Sequence, residues 1–196
     1  MNILAFVDTH GSKKAIEAIL KKSKQADILV CAGDLTMWGE GTEKWIKMLE
    51  QAKKPLIIIP GNHESEREMA EVCKKYPFCI YLHRAAYDFG GYLFFGFGGG
   101  GFSERNPEFE RIGKRVQADA KGKKIILITH GPPYGTNLDL LPGMGHRGCK
   151  SIRHFIEDAK PMAAISGHLH ETGGSTDRIE KTFVINPGPL GALLKV

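Results

Sequence analysis

The chain has 196 residues, a length that allows one sizeable hydrophobic core, and we expect a single domain spanning residues 1–196. With 42% hydrophobic and 25% charged residues, it has the composition of a globular protein rather than a disordered or fibrous one. Its apolar runs are far shorter than the ~20 residues of a membrane helix, and it opens on a strand pattern rather than a signal peptide, so we expect a cytoplasmic protein with no membrane partner.

The formal net charge is +5, which raises the question of nucleic-acid binding. The lysines are spread over predicted helices and connectors, and no run of basic residues alternates with aromatic ones. This pattern favours solvated helical faces over a nucleic-acid groove. A mild positive field would still attract an anionic substrate.

Strands and helices alternate through the first part of the chain. Short apolar runs predict strands, and apolar residues at helical spacing predict helices, the first of them with Ser12 as its N-cap. The predicted strands are residues 3–7, 28–32, 56–59, 87–89, 92–95, 124–129, 162–166 and 182–185. The predicted helices are the one after Ser12 and residues 42–52, 65–75, 107–121 and 148–158. This order is typical of a parallel sheet built from βαβ units, and the second half of the chain is expected to form another sheet packed on the first.

Glycine marks two further features. Gly90 and Gly91, between two short strand patterns, predict a hairpin with a two-residue turn. Four consecutive glycines at residues 98–101 indicate either a close backbone approach or lid, or a plain flexible linker, with equal support for the two. Residues 134–147 are expected to form a long irregular loop.

Metal-ligating side chains follow the predicted strands at the points where the strands end. They are Asp8 and His10, Asp34, Asn62 and His63, His130, and His168 with His170. Each residue alone is explained by ordinary turn chemistry, but that explanation does not account for the same chemistry at five strand ends. In open α/β sheets the carboxyl ends of the strands are where ligands bind. Carboxylates and imidazoles without a paired cysteine set suit Mn, Fe, Zn, Ni or Co, and the set is large enough for two ions.

The joint pattern resembles the calcineurin-like metallophosphoesterase superfamily. The matching blocks, in chain order, are Asp8-x-His10, Gly33-Asp34, Gly61-Asn62-His63-Glu64, His130 and Gly167-His168-x-His170. They span most of the chain. The chain is similar to one branch of this superfamily, the brain-type metallophosphoesterase-domain phosphodiesterases and their microbial relatives. That similarity lies in the residues after Thr129 and in the segment Arg147-Gly148-Cys149.

The resemblance implies a four-layer α/β/β/α sandwich of two mixed sheets flanked by helices, with a dinuclear metal site at the strand carboxyl ends. It implies two divalent metal ions as cofactors, one held by Asp8, His10, Asp34 and His170, the other by Asp34, Asn62, His130 and His168. It places His63 beside the substrate and not on a metal.

These implied roles suit a metal-dependent phosphoesterase. A hydroxide shared between two ions would be a strong nucleophile near neutral pH, and the ions would also hold the phosphoryl oxygens. His63 is the candidate catalytic residue, as general acid or electrostatic stabiliser of the leaving group. Glu64 is expected either to orient His63 or the start of the helix that follows or, as the favoured alternative, to interact with the dipole of that helix.

The substrate is defined less closely. A small or nucleotide-like phosphodiester is the leading prediction; the alternatives are a phosphomonoesterase or protein phosphatase, since substrate choice lies in the loops, and a non-enzymatic metal-binding scaffold. His146 and Arg147 are candidate substrate-binding residues, with a solvated loop as the equal alternative. Cys73 and Cys79 would pair only in an oxidising setting, which the expected location argues against.

Overall fold

The computed structural model describes residues 1–101 and 103–196. In those ranges the strands are β1 (Asn2–Phe6), β2 (Ile28–Cys31), β3 (Leu56–Ile58), β4 (Cys79–Tyr81), β5 (Ala85–Phe89), β6 (Tyr92–Phe97), β7 (Lys124–Thr129), β8 (Leu140–Leu141), β9 (Gly145–His146), β10 (Ala163–Ile165), β11 (Thr176–Ile179), β12 (Thr182–Ile185) and β13 (Ala192–Lys195). The helices are α1 (Lys13–Lys22), α2 (Thr42–Leu49), α3 (Glu66–Cys73), α4 (Pro107–Asp119) and α5 (Lys150–Ala159), with 3₁₀ turns at Ser23–Gln25, Glu50–Ala52 and His170–Thr172. Among the described residues, no helix combines the length and apolarity needed to cross a bilayer.

The strands form two mixed sheets and one small ribbon. The first sheet has the order β13-β1-β2-β3-β4, in which β13 is antiparallel to β1 and the other neighbours are parallel. The second sheet has the order β11-β12-β10-β7-β6-β5, with antiparallel pairs at its two edges and parallel pairs between them. Strands β8 and β9 form a separate two-stranded ribbon among the described residues. Because the central strands of each sheet are parallel, the carboxyl ends of β1, β2 and β3 lie at one edge of the first sheet, and those of β7 and β10 at one edge of the second.

Three apolar clusters hold these elements in four layers. Successive side chains of a strand point to opposite faces, so Ile3 and Val7 of the first strand segment lie in the cluster between the two sheets, whereas Leu4 and Phe6 face the helices α1, α2 and α3. The outer face of the second sheet packs in the same way on α4 and α5, around residues such as Phe95. The predicted sandwich of two mixed sheets flanked by helices is therefore confirmed.

The predicted strands and helices all form, with ends displaced by at most three residues. Gly90 and Gly91 join β5 to β6 with φ of 57° and 84°, the left-handed pair that a type I′ hairpin turn requires. Strands β4, β11 and β13 were not predicted from the sequence, and residues 134–147 contain the ribbon of β8 and β9 where only irregular loop was expected. The short edge strand β11 is largely exposed, so it lacks the apolar run that reveals a buried strand.

The glycine segment 98–101 contains one close backbone approach. The N–H of Gly98 donates to Nδ1 of His83 over 2.9 Å, and a Cβ placed on Gly98 would lie 2.3 Å from the carbonyl oxygen of Pro60. The N–H of Gly99 donates to that same carbonyl oxygen over 2.7 Å. Gly98 is thus required by packing, which answers part of the question that the sequence left open.

The cysteines of the described residues are all free. The Sγ atoms of Cys73 and Cys79 lie 3.1 Å apart in the interior, between α3 and β4.

Candidate metal centre

Both sheets contribute side chains to one site. Asp8 and His10 follow β1, Asp34 follows β2, Asn62 and His63 follow β3, His130 follows β7, and His168 and His170 follow β10. Three overlapping groups of these residues could each hold a metal ion, with ligand atoms within 4.8 Å of one another: Asp8, His10 and His170; His10, Asp34 and His63; and Asp8, Asp34 and His130. The strand ends therefore bring together the residue types that the sequence analysis selected.

The carboxylate of Asp34 lies at the centre of the site. Its Oδ2 atom is 3.5 Å from Nε2 of His130, 3.8 Å from Nε2 of His63 and 3.9 Å from Nε2 of His10. Its Oδ1 atom accepts the backbone N–H of His63 over 3.0 Å. Asp34 is buried and placed between imidazoles that come from different strands, which suits a carboxylate shared by two ions.

Asn62 and His130 present lone pairs to each other. The Nδ1 atom of His130 is 2.9 Å from the carbonyl oxygen of Ala32, which can only accept, so Nδ1 carries the proton. In the neutral ring, Nε2 is then an acceptor, and it faces the Oδ1 acceptor of Asn62 over 2.9 Å. Nδ1 of His168 is also 2.9 Å from that oxygen. A positive charge between these atoms, either a metal ion or the second proton of an imidazolium at His130, would satisfy both, so the donor set fits a bound metal ion.

Asp8 provides a second observation of the same kind. Its Oδ2 atom accepts the backbone N–H of His168 over 3.0 Å, whereas its Oδ1 atom is buried with no hydrogen-bond partner among the described residues. The Nε2 atoms of His10 and His170 lie 3.0 Å apart in the neighbouring group of ligands. A buried carboxylate oxygen without a donor is costly, and a divalent ion would satisfy it.

Four of the predicted ligands have left-handed backbone conformations. The φ angles are 54° at Asp8, 45° at His10, 49° at Asp34 and 70° at His168. Residues other than glycine rarely adopt this region, and each instance costs of the order of 1 kcal/mol. The loops hold it with backbone hydrogen bonds, among them the N–H of His10 to the carbonyl of Asp34 over 3.0 Å. Strain of this kind concentrates at functional sites because it directs side chains where regular structure would not.

Two motif glycines permit the ligands to approach. A Cβ on Gly61 would lie 1.9 Å from Oδ1 of Asp34, and a Cβ on Gly167 would lie 2.8 Å from Oδ2 of Asp8. Both distances are far inside van der Waals contact. Gly61 excludes a side chain because the carboxylate of Asp34 occupies the space, and Gly167 because Val7, whose Cγ2 would lie 2.2 Å from the Cβ, occupies it together with Asp8.

Glu64 makes contacts that the sequence did not predict. Its Oε2 atom accepts the backbone N–H groups of Asp34 and Gly61 over 3.0 and 2.8 Å, and its Oε1 atom accepts the backbone N–H and hydroxyl of Thr36 over 2.8 and 3.0 Å. The residue that caps α3 is Ser65, whose hydroxyl accepts a backbone N–H of that helix. Glu64 therefore joins the loops after β2 and β3, and it holds Asp34 through the backbone.

Burial and charge act in opposite directions on the two carboxylates. Burial raises the pKa of Asp8 to about 6, and the imidazoles of His130 and His170 only partly offset it. Burial would also raise the pKa of Asp34, but its interactions with His130 and His63 outweigh burial and lower it. At His168, burial followed by the charge of His130 lowers the pKa to about 4, which leaves a neutral ring able to bind a metal.

His63 packs against an aromatic residue that the sequence analysis did not select. The ring of Trp38 lies 4.2 Å from that of His63, centroid to centroid, at an interplanar angle of 40°. Trp38 lies in the loop after β2, four residues beyond Asp34, and 72% of it is exposed. Its place in a motif loop was the only available signal in the sequence.

His146 and Arg147 lie in a separate cleft. This cleft has a volume of about 470 Å³, and its lining includes Tyr134 and Met144 but none of the predicted metal ligands. Nδ1 of His146 is 2.9 Å from Oδ1 of Asp139, a fully buried carboxylate. The structure thus gives His146 a fixed orientation without placing it among the metal ligands.

Comparisons with known proteins agree with this architecture. The sequence profile described as calcineurin-like phosphoesterase matches residues 1–172. An uncharacterised protein of Methanocaldococcus jannaschii is 32% identical, covering 96% of this chain and 88% of the relative. Human metallophosphoesterase domain-containing protein 1 is 29% identical, covering 85% of this chain and 60% of the relative. Over 36% of this chain and 27% of the relative, a 3′,5′-cyclic adenosine monophosphate phosphodiesterase of Haemophilus influenzae is 30% identical. The crystal structure of a Thermus thermophilus protein shares the fold, with a TM-score of 0.77, 21% identity and coverage of 96% of this chain and 89% of the other.

Proposed function

The chain belongs to the calcineurin-like phosphoesterase family, whose members use divalent metal ions in dinuclear sites, and on that premise we propose that it is a phosphodiesterase for a small or nucleotide-like diester. The observation that carries the proposal is the position of Asp34, whose Oδ2 atom faces three imidazole nitrogens within 3.9 Å. The unpartnered Oδ1 of Asp8 supports it. The preference for a diester takes its support from the Haemophilus relative that is named for cyclic adenosine monophosphate.

The proposed ligands divide into two sets that share Asp34. One set is Asp8, His10, Asp34 and His170; the other is Asp34, Asn62, His130 and His168. This oxygen and nitrogen donor set suits Mn, Fe, Ni, Zn or Co. Two bound ions would activate a water molecule and neutralise charge on the phosphoryl oxygens.

The remaining chemistry falls to His63. Its Nε2 atom is 3.8 Å from Oδ2 of Asp34, so the ring is directed toward the centre of the site. A proton on that Nε2 atom would pass to the leaving oxygen as the ester bond breaks. We assign His63 as the general acid.

The test is a hydrolysis assay on protein stripped of metal and then given Mn, Ni, Co, Zn or Mg singly. It compares bis-p-nitrophenyl phosphate with p-nitrophenyl phosphate, and it uses Asn62→Ala and His63→Ala, with His154→Ala on the exposed face of α5 as the matched histidine control. Asn62→Ala should lose metal affinity in calorimetry together with activity. His63→Ala should keep the metal and lose about 10²- to 10⁴-fold in rate, the usual contribution of a general acid.

The outcomes separate the alternatives. Metal-dependent cleavage of the diester, lost in both site variants and kept in His154→Ala, supports the proposal. Preference for the monoester would replace it with a phosphomonoesterase. Full metal binding without hydrolysis of either ester would favour a metal-binding scaffold.

A further inference from the structure

Trp38 is exposed in a place where neither packing nor local conformation accounts for it. It is the most exposed of the large hydrophobic residues that the structure describes, at 72%, and its neighbour Met37 is 42% exposed. Its backbone φ is 53°, in the left-handed region that disfavours a bulky side chain. The chain therefore accepts backbone strain and also leaves an indole in water, a combination that indicates a functional role.

The loop that carries Trp38 is braced on both sides. Thr36, two residues before it, is fully buried and bound through its N–H and hydroxyl to the carboxylate of Glu64. Gly39, the residue after it, donates its N–H to the hydroxyl of Thr36 over 3.1 Å. The indole is thus presented on a fixed loop, so a ligand that binds it would lose little affinity to ordering of the protein.

One face of the indole is directed to the reaction site and the rest to solvent. The ring contacts His63 at 4.2 Å between centroids, and Nε2 of His63 is 3.8 Å from Oδ2 of Asp34. A leaving group that takes its proton from His63 must therefore pass beside the indole. The large exposed surface of Trp38 remains available to whatever is attached to the leaving oxygen.

We propose that Trp38 is a specificity-determining residue that stacks on a planar aromatic part of the leaving group, in a nucleotide the nucleobase. The inference rests on the proposed function, because it uses the site of His63 and Asp34 as the place of hydrolysis. Aromatic side chains stack on every base, since each base has a π-face, so Trp38 selects nucleotides as a class over diesters without a ring. It does not choose among the bases.

The first experiment measures binding with a ligand pair that differs only in the base. Adenosine 5′-monophosphate and ribose 5-phosphate are titrated into metal-loaded wild type, Trp38→Phe and Trp38→Leu by calorimetry. We expect about tenfold weaker binding of the nucleotide in Trp38→Leu, a smaller loss in Trp38→Phe, and unchanged binding of ribose 5-phosphate. Since Trp38 is exposed, both variants should fold as the wild type does.

Fluorescence gives an independent readout that needs no catalysis. The chain has two tryptophans, and the other, Trp45, is 8% exposed in the core. The nucleotide should quench the part of the emission that disappears in Trp38→Phe, and ribose 5-phosphate should not.

Hydrolysis then distinguishes stacking from mere support of His63. With 3′,5′-cyclic adenosine monophosphate, Trp38→Leu should raise KM about tenfold with little change in kcat, and with glycerophosphocholine both constants should stay the same. An equal loss of kcat on the two substrates would overturn the inference and make Trp38 a positioning residue for His63. Equal affinity of the wild type for the nucleotide and for ribose 5-phosphate would also overturn it.

The two proposals fail in different ways. If diesters with and without a nucleobase are cleaved equally well, the stacking role is refuted and the proposed phosphodiesterase activity stands. If binding and quenching depend on the nucleobase but no diester is cleaved, the stacking role stands and the proposed phosphodiesterase activity is refuted.

Discussion

Glu64 should be the most sensitive position in the site that touches neither metal nor substrate. Its carboxylate accepts three backbone N–H groups and one hydroxyl, and those donors belong to Asp34, Gly61 and Thr36. In Glu64→Gln one oxygen becomes an amide donor. Turned toward Thr36, whose hydroxyl can rotate to accept, it still leaves one backbone N–H facing a donor, which costs about 1–3 kcal/mol. Glu64→Ala leaves all three N–H groups without their acceptor and should cost about 3 kcal/mol or more.

The assay is urea unfolding of the metal-free protein, followed by calorimetric titration with Mn²⁺. Besides losing stability, both variants should bind the metal at least about tenfold more weakly, because the loop that carries Asp34 is no longer held to the loop after β3. Glu68→Gln, an exposed glutamate in α3, is the matched control and should change neither quantity. If Glu64→Gln unfolds within about 0.5 kcal/mol of the wild type and binds metal equally well, the carboxylate does not hold these loops.

Two further perturbations test the site from its charge and its packing. Burial raises the pKa of Asp8 from 3.8 to about 6, so the folded metal-free protein holds that proton more tightly than the unfolded chain and loses about 2.4 kcal/mol of this contribution as the pH rises from 4 to 7. In Asp8→Asn that loss is absent, so the free energy of unfolding of the variant relative to wild type should grow by this amount between about pH 4 and 7 in urea unfolding. Parallel pH profiles of the two proteins would refute a raised pKa at Asp8. In Gly61→Ala the new Cβ would lie 1.9 Å from Oδ1 of Asp34, so metal content after dialysis should collapse, whereas Gly101→Ala, with no atom within 4 Å of its Cβ, should retain it. Equal metal content in the two alanine variants would show that the loop of Gly61 can move to accept the new Cβ without loss of metal binding.

The sequence predicted what depends on burial and on strand ends. Residues 124–129 and 182–185 formed strands within the predicted limits because buried parallel strands are continuous apolar runs. Asp34 follows β2 of the first sheet and His130 follows β7 of the second, and they meet because the two packed sheets bring the carboxyl ends of their parallel strands to the same side. By contrast, β13 near the end of the chain pairs with β1 near its start, and no short-range sequence pattern encodes a pairing between such distant segments.

What the sequence did not predict depends on loop conformations. Glu64 reaches Asp34 across 30 positions of sequence, a contact that exists only after two loops have folded against each other. Trp38 lies over His63 because of a left-handed residue in a loop, and such residues other than glycine carry no sequence mark. His146 is likewise fixed by Asp139 only once the segment between β7 and α5 has closed.

The division of the proposed ligands between two sheets also constrains how the protein would mature. Strand β13 completes the first sheet beside β1, yet it comes after every strand of the second sheet in the chain. A ribosome would therefore release Asp8, His10 and Asp34 long before the histidines that oppose them, and the first sheet would wait for its last strand until synthesis of the second was over. Contacts so distant in sequence form slowly. An ion held by the proposed ligands would therefore be acquired last, by a complete coordination geometry and not by a nascent fragment that would bind whichever metal came first.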